Sequence, residues 1–203
     1  MKPIPVFFCC VFLAMSMMVS AQQRYQVGDK ATTFKLMSTE KQMVSPEDYP
    51  DAKGFIVIFS CNTCPWVKLY EDRIEALHQK FAPQGFPVLA INANDEARSP
   101  GDSFEAMQQR AKEKGFTFPY LIDETQEIAR AYGATKTPEV FLLLKEGDEL
   151  VVKYIGAIDD SPRDASQASR KYVEEAIEAI QQGKAIKDTE VKAIGCTIKY
   201  RRS

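Results

Sequence analysis

The stretch that most constrains this chain is Phe59-Ser60-Cys61-Asn62-Thr63-Cys64-Pro65-Trp66, because it joins two segments of opposite periodicity. Before it, residues 55–59 are an unbroken apolar run rich in β-branched side chains, the length of a buried strand. After it, Val67, Tyr70, Ile74, Leu77 and Phe81 recur every three or four residues, one apolar stripe of a helix running from Pro65 to about residue 82. Pro65 suits the first helical turn, where its missing N–H costs no hydrogen bond. A strand that feeds directly into a helix leaves the two cysteines at the helix N-terminus. Unpaired N–H groups and the helix dipole there favour a thiolate, the reactive form of the thiol. The spacing predicts Cys61 just before the helix and exposed, and Cys64 in the first turn and more covered. On that geometry Cys61 attacks a substrate disulfide and Cys64 resolves the mixed disulfide.

The rest of the chain repeats the alternation. Residues 87–91 read as a second apolar strand, followed by a polar loop over 92–101. Asp102, three residues before Glu105, reads as a capping box for a helix with Phe104, Met107 and Ala111 on its apolar face, stopped by Gly115. Residues 118–122 form a third extended run. Asp123 and Gln126 then open a short helix holding Ile128 and Ala131, closed by Gly133. Residues 140–144 and 150–155 flank Glu146-Gly147-Asp148 as an antiparallel hairpin. Val173, Ile177 and Ile180 share one face of a last helix that ends at Gly183. Ahead of all this, Phe34-Lys35-Leu36 and Met43-Val44 predict two short strands, and Ser45-Pro46-Glu47-Asp48 a turn. Strands separated by helices imply an α/β domain with a mostly parallel sheet covered on both faces, plus the antiparallel pair.

Residues 1–21 differ in kind. Lys2 precedes an uncharged apolar run over 4–19, and Val19-Ser20-Ala21 fits a small-residue cleavage site before Gln22. That is the pattern of a cleavable signal peptide, and the run is short for a membrane-spanning helix. The expected organisation is a signal peptide over 1–21, one domain over 22–183 and a polar C-terminal tail over 184–203. The mature protein would be periplasmic or secreted, with no stable membrane insertion after the signal is removed. Cys9 and Cys10 leave with the signal, so three cysteines remain: Cys61, Cys64 and Cys196. Export implies an oxidising compartment. A two-residue gap closes almost no loop, so a Cys61–Cys64 bond would serve chemistry rather than stability. Cys196 could resolve a mixed disulfide at Cys61, pair between chains, or remain an idle thiol; it is a candidate third redox cysteine. A structural zinc needs four ligands. His78, the single histidine, lies roughly 20 Å along the helix from Cys64 and reads as a solvated helix residue. No metal or other cofactor is implied. Net charge is −2 and the basic residues are scattered, which gives no case for nucleic acid.

Thr137-Pro138, just before the strand at 140–144, completes a set of motifs. Strand–Cys61-x-x-Cys64–helix, Thr137-Pro138, and the final hairpin and helix resemble the thioredoxin-like superfamily. Val27-Gly28-Asp29-Lys30-Ala31, Tyr70-Glu71-Asp72-Arg73-Ile74, Ala90-Ile91-Asn92, Tyr154-Ile155-Gly156-Ala157-Ile158-Asp159-Asp160 and Gly195-Cys196-Thr197-Ile198-Lys199 resemble, more narrowly, the bacterial redoxin group with alkyl hydroperoxide reductase/thiol-specific antioxidant domains. The resemblance covers nearly the whole mature chain. It implies a thioredoxin-like fold: a central mixed sheet, helices on both faces and an N-terminal strand extension. It also implies that Pro138 is cis and faces the cysteines, and that Thr137 offers backbone groups to a bound peptide as an added strand would. It supports Cys61 as nucleophile and Cys64 as resolving thiol. The implied partners are protein or small-molecule disulfides and a thiol electron donor. Trp66 would either shape the docking surface beside Cys61 or be a half-buried helix residue.

Two rival activities are set against this one. The group's name suggests a thiol peroxidase using Cys61, but the Pro-x-x-x-Thr-x-x-Cys pattern of peroxiredoxins is not recognisable around Cys61 or Cys64. A copper-binding assembly factor pairs two cysteines with a distant histidine, and His78 sits deep in the adjacent helix. Disulfide exchange is the preferred reading. The strand at 55–59 carries no buried acid, so Asp95 or Glu96 is the candidate proton acceptor for Cys64, unless both are surface loop charges.

Overall fold

The computed structural model describes residues 24–202, so the expected signal peptide lies outside the described residues. Among these residues, ten strands and four α-helices follow in chain order. They are β1 (Leu36–Ser38), β2 (Met43–Val44), β3 (Gly54–Ser60), α1 (Pro65–Phe81), β4 (Val88–Asn92), α2 (Phe104–Lys114), β5 (Tyr120–Ile122), α3 (Glu127–Tyr132), β6 (Lys136–Thr137), β7 (Glu139–Glu146), β8 (Glu149–Gly156), α4 (Tyr172–Gln181), β9 (Glu190–Val191) and β10 (Cys196–Thr197). Eight of the strands make one sheet in the order β2-β1-β5-β4-β3-β7-β8-β9. β3, β4 and β5 run parallel, while β7 lies antiparallel to β3 and pairs with β8 as a hairpin. This is the mixed sheet that the resemblance implies, with β1 and β2 as its N-terminal extension.

β3 is central, and every one of its residues is buried. Side chains alternate across a strand, so Ile56 and Ile58 face one core with Tyr70, Ile74, Leu77 and Phe81 of α1 and with Val173 and Ile177 of α4. Phe55, Val57 and Phe59 face the other core, with Ala129 and Tyr132 of α3. Tyr132 anchors that second layer, its ring edge-on to Tyr25, Phe59 and Phe141 at 5.1, 5.6 and 5.3 Å. Burial of such side chains contributes about 1.5–3 kcal/mol each, so β3 and its two covers fix where its C-terminal end lies. Two ion pairs tie α1 sideways: Arg110 of α2 grips the buried Glu71 at 2.6 Å, and Arg73 reaches Asp159 at 2.7 Å, where Tyr70 also donates.

Several local expectations change. The first strand begins at Leu36, because Phe34 is drawn into the core against Tyr132. Ser103, not Asp102, caps α2: its Oγ accepts the Ala106 N–H at 3.2 Å. A 3-10 turn over Pro100–Asp102 turns Asp102 inward instead. At α3 the capping carboxylate is Asp123, accepting the Ala129 N–H at 2.8 Å. Gln126 uses its amide elsewhere, donating to Ala93 O and accepting from Arg201 N. His78 is half-buried rather than solvated: Nδ1 accepts the Val88 N–H at 3.2 Å, and burial holds its pKa down.

The segment beyond Gly183 is polar in composition but lies on the domain. β9 adds to the sheet beside β8. There Gly156 has φ of 140°, and a Cβ on it would stand 1.7 Å from Val191 O, so only glycine fits. Ile198 is buried in the α3-side core, and Tyr200 donates to Ala134 O at 2.7 Å. Between these anchors, β10 pairs antiparallel with β6. Among the described residues no helix is long and apolar enough to cross a membrane.

If β3 is the member that fixes the geometry, Ile58→Ala should lower the unfolding free energy by about 2–5 kcal/mol in urea titration. A loss below about 1 kcal/mol would place the packing constraint elsewhere.

Candidate active site

β3 ends at Ser60, and the chain turns through Asn62 and Thr63 before Cys64 becomes the N-cap of α1. The β3–β7 register sets Phe59 opposite Glu139, which brings the cis Thr137-Pro138 bond beside Cys61. Thr137 touches both sulfurs. Its hydroxyl lies 3.2 Å from Cys61 Sγ, and its carbonyl accepts from the Cys64 thiol at 3.2 Å. Cys61, Cys64 and Val67 form a small buried cluster, with Trp66 and Cys196 packed against it. All three cysteines are free thiols.

The structure overturns the expected exposure of Cys61. Both Cys61 and Cys64 are 2 % exposed. The cover is the C-terminal segment, whose strand β10 sets Cys196 directly opposite Thr137. Charge is distributed accordingly. A hydrogen bond from the Cys61 thiol, helped by the Cys196 thiol and the N–H groups of Val67 and Cys196, pulls the Cys64 pKa down to about 4. The same bond to Cys64, then burial, then the negative charge of Asp102 push Cys61 upward. Burial, then Cys64, raises Cys196 to about 11. With one charge shared by the pair, Cys64, the sulfur at the helix N-terminus, carries it when Cys61 holds the shared proton, and donates to Thr137 O when it is itself protonated.

Asp102 is not the helix cap that its spacing from Glu105 predicts. It is 1 % exposed. Oδ1 accepts the Asn62 N–H at 2.6 Å, the Thr63 N–H at 3.3 Å and Asn92 Nδ2 at 3.4 Å. Oδ2 accepts the Thr63 hydroxyl at 2.7 Å, Ser99 Oγ at 2.6 Å and Asn94 Nδ2 at 2.8 Å. One carboxylate thus ties down both residues between the cysteines, and its donors offset the cost of burying it. Asn62 is held from its other end by Tyr120 OH at 3.0 Å and Gly101 O at 3.0 Å. The acids named from sequence lie elsewhere: Asp95 approaches Arg201 at 3.7 Å, and Glu96 is exposed. Glu139 does for the proline loop what Asp102 does for the cysteine turn. Buried, it accepts the Thr135 and Lys136 N–H groups at 2.7 and 3.3 Å and pairs with Arg24 at 3.0 Å. The one sequence hint of the Asp102 site is a pair of asparagines, 92 and 94, at the end of a strand buried throughout.

Around the opening, Trp66 carries the Arg163 guanidinium 5.7 Å from its ring. Leu69, one turn further along α1 on the same side, is 48 % exposed, and Ile194, just before the covering strand, is 49 % exposed. They give the site an apolar rim.

Removing the Asp102 charge should ease ionisation of Cys61. Cys61, mapped by iodoacetamide labelling, should react faster in Asp102→Asn than in the unaltered protein at about pH 8, because only the thiolate is alkylated. Thiolate absorbance should still titrate at pH about 4 from Cys64. Asp102→Ala, which strands two N–H groups, should cost about 3 kcal/mol or more of stability. An unchanged Cys61 rate in Asp102→Asn would remove Asp102 from the electrostatics of the pair.

Residues 27–155 match the AhpC/TSA family. The thiol-disulfide oxidoreductase ResA of Halalkalibacterium halodurans is 24% identical over 135 residues, 66% of this chain and 72% of that protein. ResA of Geobacillus thermodenitrificans is 28% identical over 123 residues, 60% of this chain and 65% of that protein. Among solved structures, an uncharacterized conserved protein from Geobacillus kaustophilus superposes with a TM-score of 0.80 at 34% identity, covering 88% of this chain and 94% of that one. A hypothetical protein from Sinorhizobium meliloti gives 0.81 at 31% identity, covering 89% and 98%. The thioredoxin domain of a Bacteroides vulgatus thiol-disulfide oxidoreductase gives 0.52 at 16% identity, covering 65% and 91%, a likeness of fold alone.

Proposed function

The chain belongs to the AhpC/TSA family and is an oxidoreductase, and from that premise we propose that its reaction is thiol–disulfide exchange at Cys61 and Cys64. The observation that carries this reading is Thr137: one residue, beside a cis proline, in hydrogen-bond contact with both sulfurs. The roles follow from the charge distribution. In exchange at a disulfide, the sulfur of lower pKa leaves faster. When an external thiolate opens an oxidised Cys61–Cys64 pair, Cys64 is the better leaving group, so the mixed disulfide forms on Cys61. Run the other way, Cys61 attacks a substrate disulfide, its proton passing to Cys64 along their hydrogen bond. One substrate sulfur departs as a thiolate, which takes a proton from water, and the other stays on Cys61. Cys64 then attacks Cys61, the second thiol leaves, and the pair ends as a disulfide while the substrate has gained two electrons and two protons.

A protein disulfide would dock along Thr137 and Pro138, with Trp66 on the rim and a strand-like backbone contact at Thr137. The partners on this reading are a disulfide substrate and a thiol donor. The protein would work after export, as a periplasmic or secreted enzyme. Mass spectrometry of protein recovered from a secreting host should then give a mature chain beginning at Gln22; recovery of the full 203-residue chain would overturn export by signal cleavage.

Cys64→Ser should trap the reaction half-way. Incubated with a protein disulfide such as insulin, it should accumulate a mixed disulfide on Cys61, while turnover falls by about a thousandfold or more because the resolving thiolate is gone. Fast, saturable oxidation by hydrogen peroxide in stopped flow, with no reaction on insulin, would give the site to a peroxidase instead.

A further inference from the structure

The C-terminal strand occupies the place where a peptide would dock. β10 pairs with β6 in antiparallel register, Cys196 against Thr137 and Thr197 against Lys136, and the Ile198 N–H donates to Thr135 O at 3.2 Å. Gly195 makes the approach possible: a Cβ there would stand 2.2 Å from Thr137 O, so any larger residue would lift the strand away. The residue this register delivers to the sulfur cluster is a third cysteine. Cys196 packs against the cluster of Cys61, Cys64 and Val67, opposite Thr137, whose carbonyl contacts Cys64 Sγ. Cys61 and Cys64 are sealed from water, whereas Cys196 is only partly covered. A thiol must reach a sulfur from outside to exchange with it, and with β10 in place the sulfur within reach is Cys196.

We propose that Cys196 is the relay between the buried pair and an external thiol donor, with the strand that carries it acting as a tethered substrate. The proposal rests on thiol–disulfide exchange at Cys61 and Cys64. In the oxidised pair, Cys196 attacks Cys64 Sγ: β10 sets it opposite Thr137, whose carbonyl contacts Cys64, and this tethering offsets the poorer leaving group, Cys61. The Cys61–Cys64 bond breaks, a Cys64–Cys196 bond forms, and Cys61 takes up the proton that Cys196 gives up. Cys196 is oxidised as Cys61 is reduced, so the chain as a whole neither gains nor loses electrons, and the disulfide moves outward by one sulfur. A donor thiolate then attacks Cys196, and Cys64 leaves as the thiolate that its surroundings favour. A second donor thiol attacks the donor sulfur bound to Cys196. It releases the Cys196 thiol and a donor disulfide, so two donor thiols have reduced one protein disulfide.

Two measurements decide it. Cys61→Ser, treated with diamide, should form an intramolecular Cys64–Cys196 disulfide, seen as a two-proton mass loss and a linked peptide after digestion. Separate alkylation of Cys64 and Cys196 would overturn the proposal. In the second, the oxidised full chain is reduced by glutathione and followed through Trp66, the single tryptophan, which packs on the cluster. Cys196→Ser, which keeps the strand but removes the sulfur, should slow this reduction by about tenfold or more. An equal or faster rate would make the strand a plug and overturn the relay. The underlying reading fails separately: it is lost only if the unaltered protein and Cys196→Ser both fail to form a Cys61–Cys64 disulfide with oxidised glutathione.

Discussion

Thr137 holds the candidate site together, because it is the residue that all three cysteines meet. Its hydroxyl faces Cys61, its carbonyl faces Cys64, and its backbone pairs with Cys196. None of these contacts is strong; a net hydrogen bond contributes about 1 kcal/mol. They persist because the sheet leaves Thr137 no other position. β7 pairs with β3 over six residues, ending with Phe59 opposite Glu139. Two residues upstream of Glu139, the chain must therefore lie at the end of β3, where the cysteine turn begins. The energy that places Thr137 comes from the two apolar layers on β3, far more than from the polar contacts made at its tip.

Two buried carboxylates then convert that placement into a defined site. Asp102 binds the turn between the cysteines, and Glu139 binds the loop before the cis proline. An unpaired buried charge would cost several kcal/mol, so each acid must be saturated with donors to be tolerated. Asp102 meets that demand with six donors from four segments of chain: the turn, the end of β4, the loop after it and Ser99 beside it. A carboxylate bonded in this way cannot easily double as a mobile proton acceptor. Its electrostatic effect is to disfavour charge on Cys61. The helix N-terminus favours charge on Cys64, so fold and acid act in the same direction.

How much of this the sequence discloses follows from how local each determinant is. α1 and α4 carry a period of 3.6, β3 and β4 are unbroken apolar runs of strand length, and the β7–β8 hairpin is marked by Glu146-Gly147-Asp148, so each is identified without the rest of the chain. The cysteine pair at the strand–helix junction and Thr137-Pro138 are readable for the same reason. Asp102 misleads because Asp-x-x-Glu before an apolar stripe fits a helix cap equally well; its true partners are 39 and 40 residues away in the chain. The covering strand is illegible for another reason. β10 has two residues, with no period to detect, in a segment whose composition is polar. Cys61 reads as exposed because nothing in its sequence neighbourhood shows that residues 195–198 return to cover it. His78 reads as solvated because its partner, the Val88 N–H, belongs to the next strand.

The shortness of β10 bears on what it can do. A two-residue pairing has little intrinsic hold, so the strand stays only because of its flanks: β9 bound to β8 on one side, Ile198 and Tyr200 packed into the domain on the other. Such a strand can leave the groove at small cost and return quickly, since both ends remain fixed. Tethering also changes the competition for Cys64. A linked thiol is present at an effective concentration in the millimolar range or above, before any external thiol is added. On the proposed exchange, a soluble donor would have to outcompete Cys196 or react through it. Because Cys64 and Cys61 are closed to solvent while the strand is bound, reacting through it needs no conformational change, whereas outcompeting it does. On that proposal the path through Cys196 is the shorter one for a small thiol, whereas a protein disulfide too large to reach past the rim would require the strand to give way at Thr137.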